Sequence, residues 1–147
     1  MLGDYQIVTR LMVSTILGGL VGLERQVHQR SAGLRTHILV SLGSCLIMLT
    51  SMYVFDIYNK TATVDPTRIA AGVITGIGFL GAGAIIREKE RVIGLTTAAS
   101  LWVVAGMGMA IGCGFYIAGV FTAVLALIVL FFLRVFEGFL FNRTDKG

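Results

Sequence analysis

Residues 69–86 read IAAGVITGIGFLGAGAII and contain no charged side chain. As a helix, this stretch would be about 27 Å long, close to the roughly 30 Å of hydrocarbon in a bilayer. Its glycines would each cost about 1 kcal/mol relative to Ala in a helix in water. In a bilayer, small residues instead let neighbouring helix backbones approach closely. The stretch therefore predicts a closely packed membrane-spanning helix.

The composition of the whole chain agrees with a membrane protein. Of the 147 residues, 56% are hydrophobic and only 14% are charged, and the mean hydropathy is +0.86. An average soluble domain has about 25% charged residues. So few charges cannot coat the surface of a soluble globule of this length. This excludes a soluble enzyme domain, a disordered tail and a disulfide scaffold.

Four further apolar runs have the length of a membrane span. We therefore predict an all-α integral membrane protein, a single transmembrane domain over residues 1–147 with a bundle of about five helices. The predicted spans cover residues 5–23, 38–55, 69–86, 92–111 and 115–133.

The basic residues between the spans predict the orientation. Nine fall on one side of the membrane and three on the other, and the side richer in Lys and Arg faces the cytoplasm. The N-terminus is therefore expected outside and the C-terminus in the cytoplasm. Because the basic residues stand in short groups between apolar runs, nucleic acid is not an expected partner. The nine are Arg25, Arg30, Arg35, Arg87, Lys89, Arg91, Arg134, Arg143 and Lys146; the three are Arg10, Lys60 and Arg68.

Stripes of small residues predict how the helices pack. We expect helices one, three and four to form a glycine-rich core, with the third helix central and the fifth against lipid. The alternative for the third helix is local unwinding to line a cavity, as in transporters. The same stripes could also serve a homodimer. The predicted packing glycines are Gly18, Gly22, Gly72, Gly76, Gly78, Gly81 and Gly83.

Polar residues collect at the predicted cytoplasmic ends of the spans. Two interpretations remain open: an ion-pair cluster that fixes helix ends, or a site for a ligand or partner. No acidic residue lies at mid-membrane, which weighs against a proton relay or cation pump. No nucleophile with a base appears, so we expect no catalytic residue and no enzyme. The cluster consists of Glu24, Arg25, Arg35, Thr36, Arg87, Thr96 and Thr97.

The predicted outer side carries Asp65, with Arg68 close by. Asp65 precedes Pro66, and this pair is typical of a helix start, where Asp caps the helix and Pro suits its first turn. The alternative is an outer Mg²⁺ site at Asp65, because Mg²⁺ takes carboxylate and water oxygens. No other cofactor is expected.

Five blocks of sequence, taken in order along the chain, carry a resemblance: 22–25 (GLER), 32–37 (AGLRTH), 68–71 (RIAA), 76–83 (GIGFLGAG) and 94–102 (GLTTAASLW). Together they resemble the MgtC/SapB family of bacterial membrane proteins. The resemblance implies a multi-pass protein of the bacterial inner membrane, linked to growth at low magnesium and to acid stress. It also implies regulation of another membrane complex, since the best-known member restrains the F-type ATP synthase. Many members carry a cytoplasmic C-terminal domain, and we expect only the membrane domain here.

Two functional hypotheses follow. The first is a membrane regulator or adaptor, a homodimer that contacts another membrane complex such as ATP synthase. The second is a channel or carrier for Mg²⁺ or another small solute, built around the glycine-rich third helix. In the second hypothesis the polar lining would consist of Glu24, Arg35, Asp65, Arg87 and Thr97.

Overall fold

The computed structural model describes residues 2–60, 63–89 and 91–141, the last nine of these by their backbone alone. Of the predicted cytoplasmic basic residues, Arg143 and Lys146 lie outside this part of the chain. Five helices and a two-stranded hairpin follow one another. The elements are α1 (Asp4–Val27), α2 (Leu34–Tyr58), α3 (Thr67–Ala84), β1 (Ile86–Glu88), β2 (Arg91–Ile93), α4 (Leu95–Gly112) and α5 (Tyr116–Phe141).

The predicted all-α membrane bundle is confirmed. Helices α1 to α4 are each long and apolar enough to cross a bilayer, and α5 has a shorter apolar part over Tyr116–Phe132. The helices α1 and α2 extend past the predicted spans, because their ends are polar turns that hydropathy alone leaves out. Within each helix the backbone N–H and C=O groups hydrogen-bond to one another, as the hydrocarbon of a bilayer requires.

The hairpin between α3 and α4 corrects the predicted ends of the third and fourth spans. Ile86 pairs with Ile93, and Arg87 with Val92, in an antiparallel ladder. Branched residues favour strands, but in the sequence they simply lengthened the two apolar runs. Gly94 then starts α4 at a φ of 94°. A side chain there would collide with the carbonyl oxygen of Ala84, so only glycine fits.

The core of the bundle differs from the predicted one. The helix α2 packs most extensively against α1 and α4, while α3 lies at the edge against α4 and α2. Half of the α4 span is buried, against 22% of the α3 span. The prediction that α3 is central is therefore wrong for the single chain. Its centre is formed by α4, which contacts all four other helices, together with α2. The helix α5 packs on α4 and α1.

The bundle has two ends, which we name by their connections. The hairpin end contains the last turn of α1, the first turn of α2 and the β-hairpin. The opposite end contains the first turn of α1 and the starts of α3 and α5. The sequence predicts that the hairpin end faces the cytoplasm.

Candidate functional site

A tight seam joins α1 to α2. An added methyl at Gly18 would lie 2.6 Å from Ser41 Cβ, and one at Gly22 would lie 2.8 Å from His37 Cβ. Real Cβ atoms do not approach this closely, so both positions require glycine. These two predicted packing residues therefore lie at a helix contact. Gly108 and Gly112 bring α4 equally close to α2, against the backbone of Ser41 and Cys45.

A reciprocal serine pair crosses the middle of this seam. The Ser14 hydroxyl donates to the Ser41 carbonyl oxygen over 2.9 Å, and the Ser41 hydroxyl donates to the Ser14 carbonyl oxygen over 2.9 Å. Both side chains are fully buried. Interhelical hydrogen bonds of this kind contribute about 0.6 kcal/mol each in a membrane protein. They fix the register of α1 on α2.

A buried polar network connects α1 to α4 at the hairpin end. The Arg25 guanidinium donates through Nη2 to the Thr97 hydroxyl oxygen at 3.0 Å. Ser31, in the α1–α2 connection, donates to the same oxygen at 3.3 Å. Arg25 is 5% exposed and Thr97 3% exposed. The Thr97 oxygen thus accepts two hydrogen bonds, and the Arg25 charge is held inside the protein.

A second arm of this network contains a fully buried histidine. His37 Nδ1 lies 2.9 Å from the Gly33 carbonyl oxygen. A carbonyl only accepts, so in the neutral ring Nδ1 carries the proton and Nε2 accepts from the Ser100 hydroxyl, 3.1 Å away. The same Ser100 hydroxyl lies 2.8 Å from the Thr97 carbonyl oxygen, and its single proton can go to only one of these two acceptors at a time. We call Arg25, Ser31, His37, Thr97 and Ser100 the buried network.

The structure distributes the predicted cytoplasmic-side cluster over several places. Arg25 and Thr97 are brought together, and Glu24 lies beside them on α1, with its carboxylate 3.2 Å from His28 Nδ1. The side chains of the other members are exposed and stand apart from the network: Arg35, Thr36, Arg87 and Thr96.

Sequence reasoning missed three members of the buried network. Ser100 follows Thr97 by three residues, so the two share one face of α4. His37 stands three residues into α2, where a polar side chain at a helix start looked like an ordinary interfacial residue. The sequence did contain one indication, the pair of polar residues on α4 and the polar residue on α2. These residues predict a hydrogen bond only once α2 and α4 are known to be neighbours. Ser31 lies in a loop and gave no signal.

At the opposite end, Arg10 closes the C-terminus of α4. Its Nη1 donates to the Gly112 carbonyl oxygen at 2.7 Å, and the side chain is 8% exposed. A cation at a helix C-terminus satisfies an orphan carbonyl and complements the helix dipole. The sequence placed Arg10 only among the three basic residues expected on the outer side of the membrane.

Asp65 sits at the start of α3. Its Oδ1 accepts hydrogen bonds from the Thr67 hydroxyl at 2.6 Å and from the Thr67 backbone amide at 2.8 Å. These bonds hold the pKa of Asp65 below its ordinary value. Arg68 is exposed nearby. Within residues 2–60, 63–89 and 91–132, no three His, Cys, Asp or Glu side chains come together to hold a metal.

The glycines of α3 have a different setting from those of α1. A methyl added at Gly72, Gly76, Gly78 or Gly83 would meet no described atom within 4 Å. Only Gly81 faces a neighbour, with Ala98 Cβ at 3.6 Å. Most of the predicted packing glycines of α3 therefore lie on open surface in the single chain.

Two open surfaces of α3 can be separated. A groove lies between α2 and α3, with a cavity volume of about 470 Å³; its ends are marked by Arg35 and Ile47 on α2. We call it the α2–α3 groove. The second surface faces away from the bundle, and we call it the small-residue face. It is formed by Ala71, Thr75, Gly78 and Ala82, all exposed.

Comparison with known proteins identifies the family. The model of the MgtC family matches residues 11–139, which include most of α1, all of α2 to α4 and most of α5. This chain belongs to the MgtC family. The resemblance inferred from the sequence blocks is thereby confirmed.

Three relatives show how far the likeness extends. The chain is 43% identical over 144 residues to "Putative magnesium transporter YhiD" of Escherichia coli strain K12, which covers 97% of this chain and 66% of that protein. It is 41% identical to SapB of Bacillus subtilis strain 168, over 77% of this chain and 50% of SapB. It is 48% identical to MgtC of Salmonella typhimurium strain LT2, over 73% of this chain and 43% of MgtC.

The likeness is therefore to the membrane part of MgtC-family proteins. The chain spans between 43% and 66% of the length of these relatives. No solved structure matches the chain significantly. The buried network and both surfaces of α3 fall inside the matched residues.

Proposed function

We propose that this MgtC-family chain is a non-enzymatic regulator in the bacterial inner membrane, which acts by helix contact with another membrane protein. The observation that carries the proposal is the small-residue face of α3. Ala71, Thr75, Gly78 and Ala82 follow one another at four, three and four residues, which places them in one row along the helix. Such rows let a second helix approach closely and gain packing energy within a bilayer.

The buried network supports a structural role for the charged residues rather than a conducting one. Arg25 is tied to Thr97, and His37 to Ser100, in bonds that connect three helices. A permeation path would need polar groups that face a water-filled space across the membrane. Here the polar groups at this end hold α1, α2 and α4 together.

The comparisons support a link to magnesium. One relative, 43% identical, is named "Putative magnesium transporter YhiD". The family resemblance further implies a role in adaptation to low magnesium or acid stress. It also makes ATP synthase the first partner to test. We propose that the small-residue face is the surface that meets this partner.

The test uses inverted membrane vesicles from a bacterium without its own family member. ATP-driven proton pumping is measured with and without the chain in the membrane. We expect the wild type to lower pumping and Gly78→Leu to restore it, because a leucine on the small-residue face keeps a partner helix away. Gly106→Leu is the matched control: it also adds a side chain at an exposed glycine with open space, but on α4.

Pumping that the wild type leaves unchanged would remove ATP synthase as the partner. Equal effects of Gly78→Leu and Gly106→Leu would remove the small-residue face as the contact. The homodimer expected from the sequence is examined in the same preparations by cross-linking, since a dimer built on this face would also be lost in Gly78→Leu.

Transport remains the second candidate, because the name of the relative in Escherichia coli states it. Liposomes that contain the purified chain are loaded with a Mg²⁺-sensitive dye and exposed to external Mg²⁺. The regulator proposal predicts an influx no faster than in empty liposomes. A robust influx that Glu24→Ala abolishes would favour transport instead.

The orientation is part of the proposal, and the two cysteines allow a direct test. Cys113 is exposed at the opposite end, whereas Cys45 is buried between α2 and α4. A membrane-impermeant maleimide added to intact cells should label Cys113 and leave Cys45 unlabelled, which the Cys113→Ser variant verifies. Labelling of Cys113 only after the cells are opened would reverse the orientation.

A further inference from the structure

The α2–α3 groove has an apolar wall and one basic residue at its mouth. Its wall is formed by aliphatic side chains and by the backbone of Gly72 and Gly76. At the hairpin end, the groove finishes at Arg35 and Thr36. The volume of about 470 Å³ lies within the range of about 300–1,000 Å³ that is usual for ligand sites.

The length of the groove matches one leaflet of a bilayer. From Thr36 to Ile47, α2 rises about 17 Å at 1.5 Å per residue. Half of the hydrocarbon thickness is about 15 Å. The groove therefore runs from the membrane interface to about the midplane, the depth that one lipid acyl chain reaches.

The charge at the mouth selects the kind of head group. Arg35 is exposed and makes no ion pair with another described residue. A guanidinium binds a phosphate by two parallel hydrogen bonds, and the Thr36 hydroxyl beside it can donate a third. At this depth, between water and hydrocarbon, an acidic lipid head group is the available anion.

A helix of a second copy fits the groove less well. A helix about 10 Å wide and 17 Å long takes up about 1,300 Å³, so it could only lie across the mouth. The backbone at Gly72 and Gly76 leaves a slot instead, since a methyl added at either position would meet no described atom within 4 Å. A flexible acyl chain can enter such a slot.

We propose that the α2–α3 groove binds an acidic phospholipid, with one acyl chain against Gly72 and Gly76 and the phosphate on Arg35. This site is separate from the small-residue face, which lies on another side of α3. Bound lipid would cover the apolar wall between α2 and α3 and hold α3 at its angle to α2.

Native mass spectrometry of the purified chain tests the proposal, because it counts lipids bound to each molecule. The chain is titrated with phosphatidylglycerol and, separately, with phosphatidylcholine. We expect tighter binding of the first phosphatidylglycerol, and Arg35→Gln should weaken it about fivefold, the effect of one basic residue on an acidic lipid. Arg30→Gln, at the same end but outside the groove, should leave it unchanged.

Filling the slot gives the second arm of the experiment. Gly76→Leu should abolish binding of the first phosphatidylglycerol at concentrations that saturate the wild type. Gly78→Leu, an equal change on the same helix outside the groove, should bind as the wild type does. The two α3 variants also separate this proposal from the proposed function, which depends on Gly78 rather than Gly76.

Three results would overturn the proposal. Equal losses in Arg30→Gln and Arg35→Gln would show a general attraction of the basic end for acidic lipid. A dimer in the wild-type spectra that Gly76→Leu dissociates, with unchanged lipid affinity, would show that a second copy covers the groove. Equal affinity for the two lipids would remove the role of Arg35. Should Gly76→Leu not fold, Arg35→Gln on its exposed site still decides.

Discussion

Glycines occur with helical spacing on both α1 and α3, but the two helices use them differently. On α1, Gly18 and Gly22 face α2 so closely that a single methyl group would collide. On α3, Gly72, Gly76 and Gly78 face no described atom within 4 Å. The same residue at the same spacing thus closes a seam in one region and leaves an open surface in the other.

This difference shows what a small-residue stripe can indicate. The stripe marks a helix surface on which close approach costs no side-chain volume. Whether a neighbour occupies that surface depends on the other helices. For the two glycines of α1 the neighbour is α2. For Gly72, Gly76 and Gly78 of α3 the described chain supplies none, so lipid or another protein is the candidate neighbour.

The largest expected effect comes from adding a methyl group to the tight α1–α2 seam. In Gly18→Ala the new methyl would lie 2.6 Å from Ser41 Cβ and 2.8 Å from the His37 carbonyl oxygen. Overpacking costs about 1–3 kcal/mol, and we expect the upper end because one of the opposing atoms is backbone. Thermal unfolding of the purified chain in detergent measures the loss.

Gly19→Ala is the matched control for this experiment. The neighbouring position would place its methyl 3.5 Å from Ile38 Cγ1, an ordinary contact. Gly19→Ala should therefore unfold within a few degrees of the wild type. If both variants are equally destabilised, helix approach at Gly18 is not the cause and the comparison between α1 and α3 loses its basis.

The fold was predictable from the sequence to the extent that it depends on length and hydropathy. Apolar runs of about twenty residues fix the number and order of the helices, because hydrocarbon admits few other backbones. The neighbours of each helix were not predictable in this way. The glycine content of α3 suggested a central position, but a stripe of glycines does not identify the helix that packs on it. The centre is formed instead by α4 and α2, which meet at Ser41 and Cys45.

The site was predictable to a similar degree. Polar residues at the hairpin end were recognised from their sequence position, and the structure joins Arg25 to Thr97. The bond between His37 and Ser100 depends on the contact between α2 and α4. No local pattern reveals a hydrogen bond between residues 63 positions apart, so this half of the network required the fold.

A smaller effect is expected from a substitution in the buried network. On α4, Thr97 is buried and its neighbour Thr96 is exposed, so an interior and a surface position of one helix can be compared. In Thr97→Val, Arg25 and Ser31 lose their common acceptor while the shape of the side chain is kept. A buried donor without its partner costs about 1–3 kcal/mol. Thr96→Val, on the exposed neighbour, should change the free energy of unfolding by no more than about 0.5 kcal/mol. Chemical denaturation of the two purified variants compares these values, and equal values would show that the network does not stabilise the fold.

The smallest effect is expected on the small-residue face, and its sign is opposite. Gly78→Ala adds a methyl where the described chain has open space. Alanine is the better helix former, by up to about 1 kcal/mol in water, so the purified monomer should become slightly more stable. A loss of stability would mean that the face is already covered in the preparation, and cross-linking would then identify the cover as a second copy. If Gly78→Ala raises the stability of the purified monomer and Gly78→Leu loses activity in membranes, the neighbour of α3 is a different molecule. The contrast between α1 and α3 would then be one between an internal helix contact and an external one.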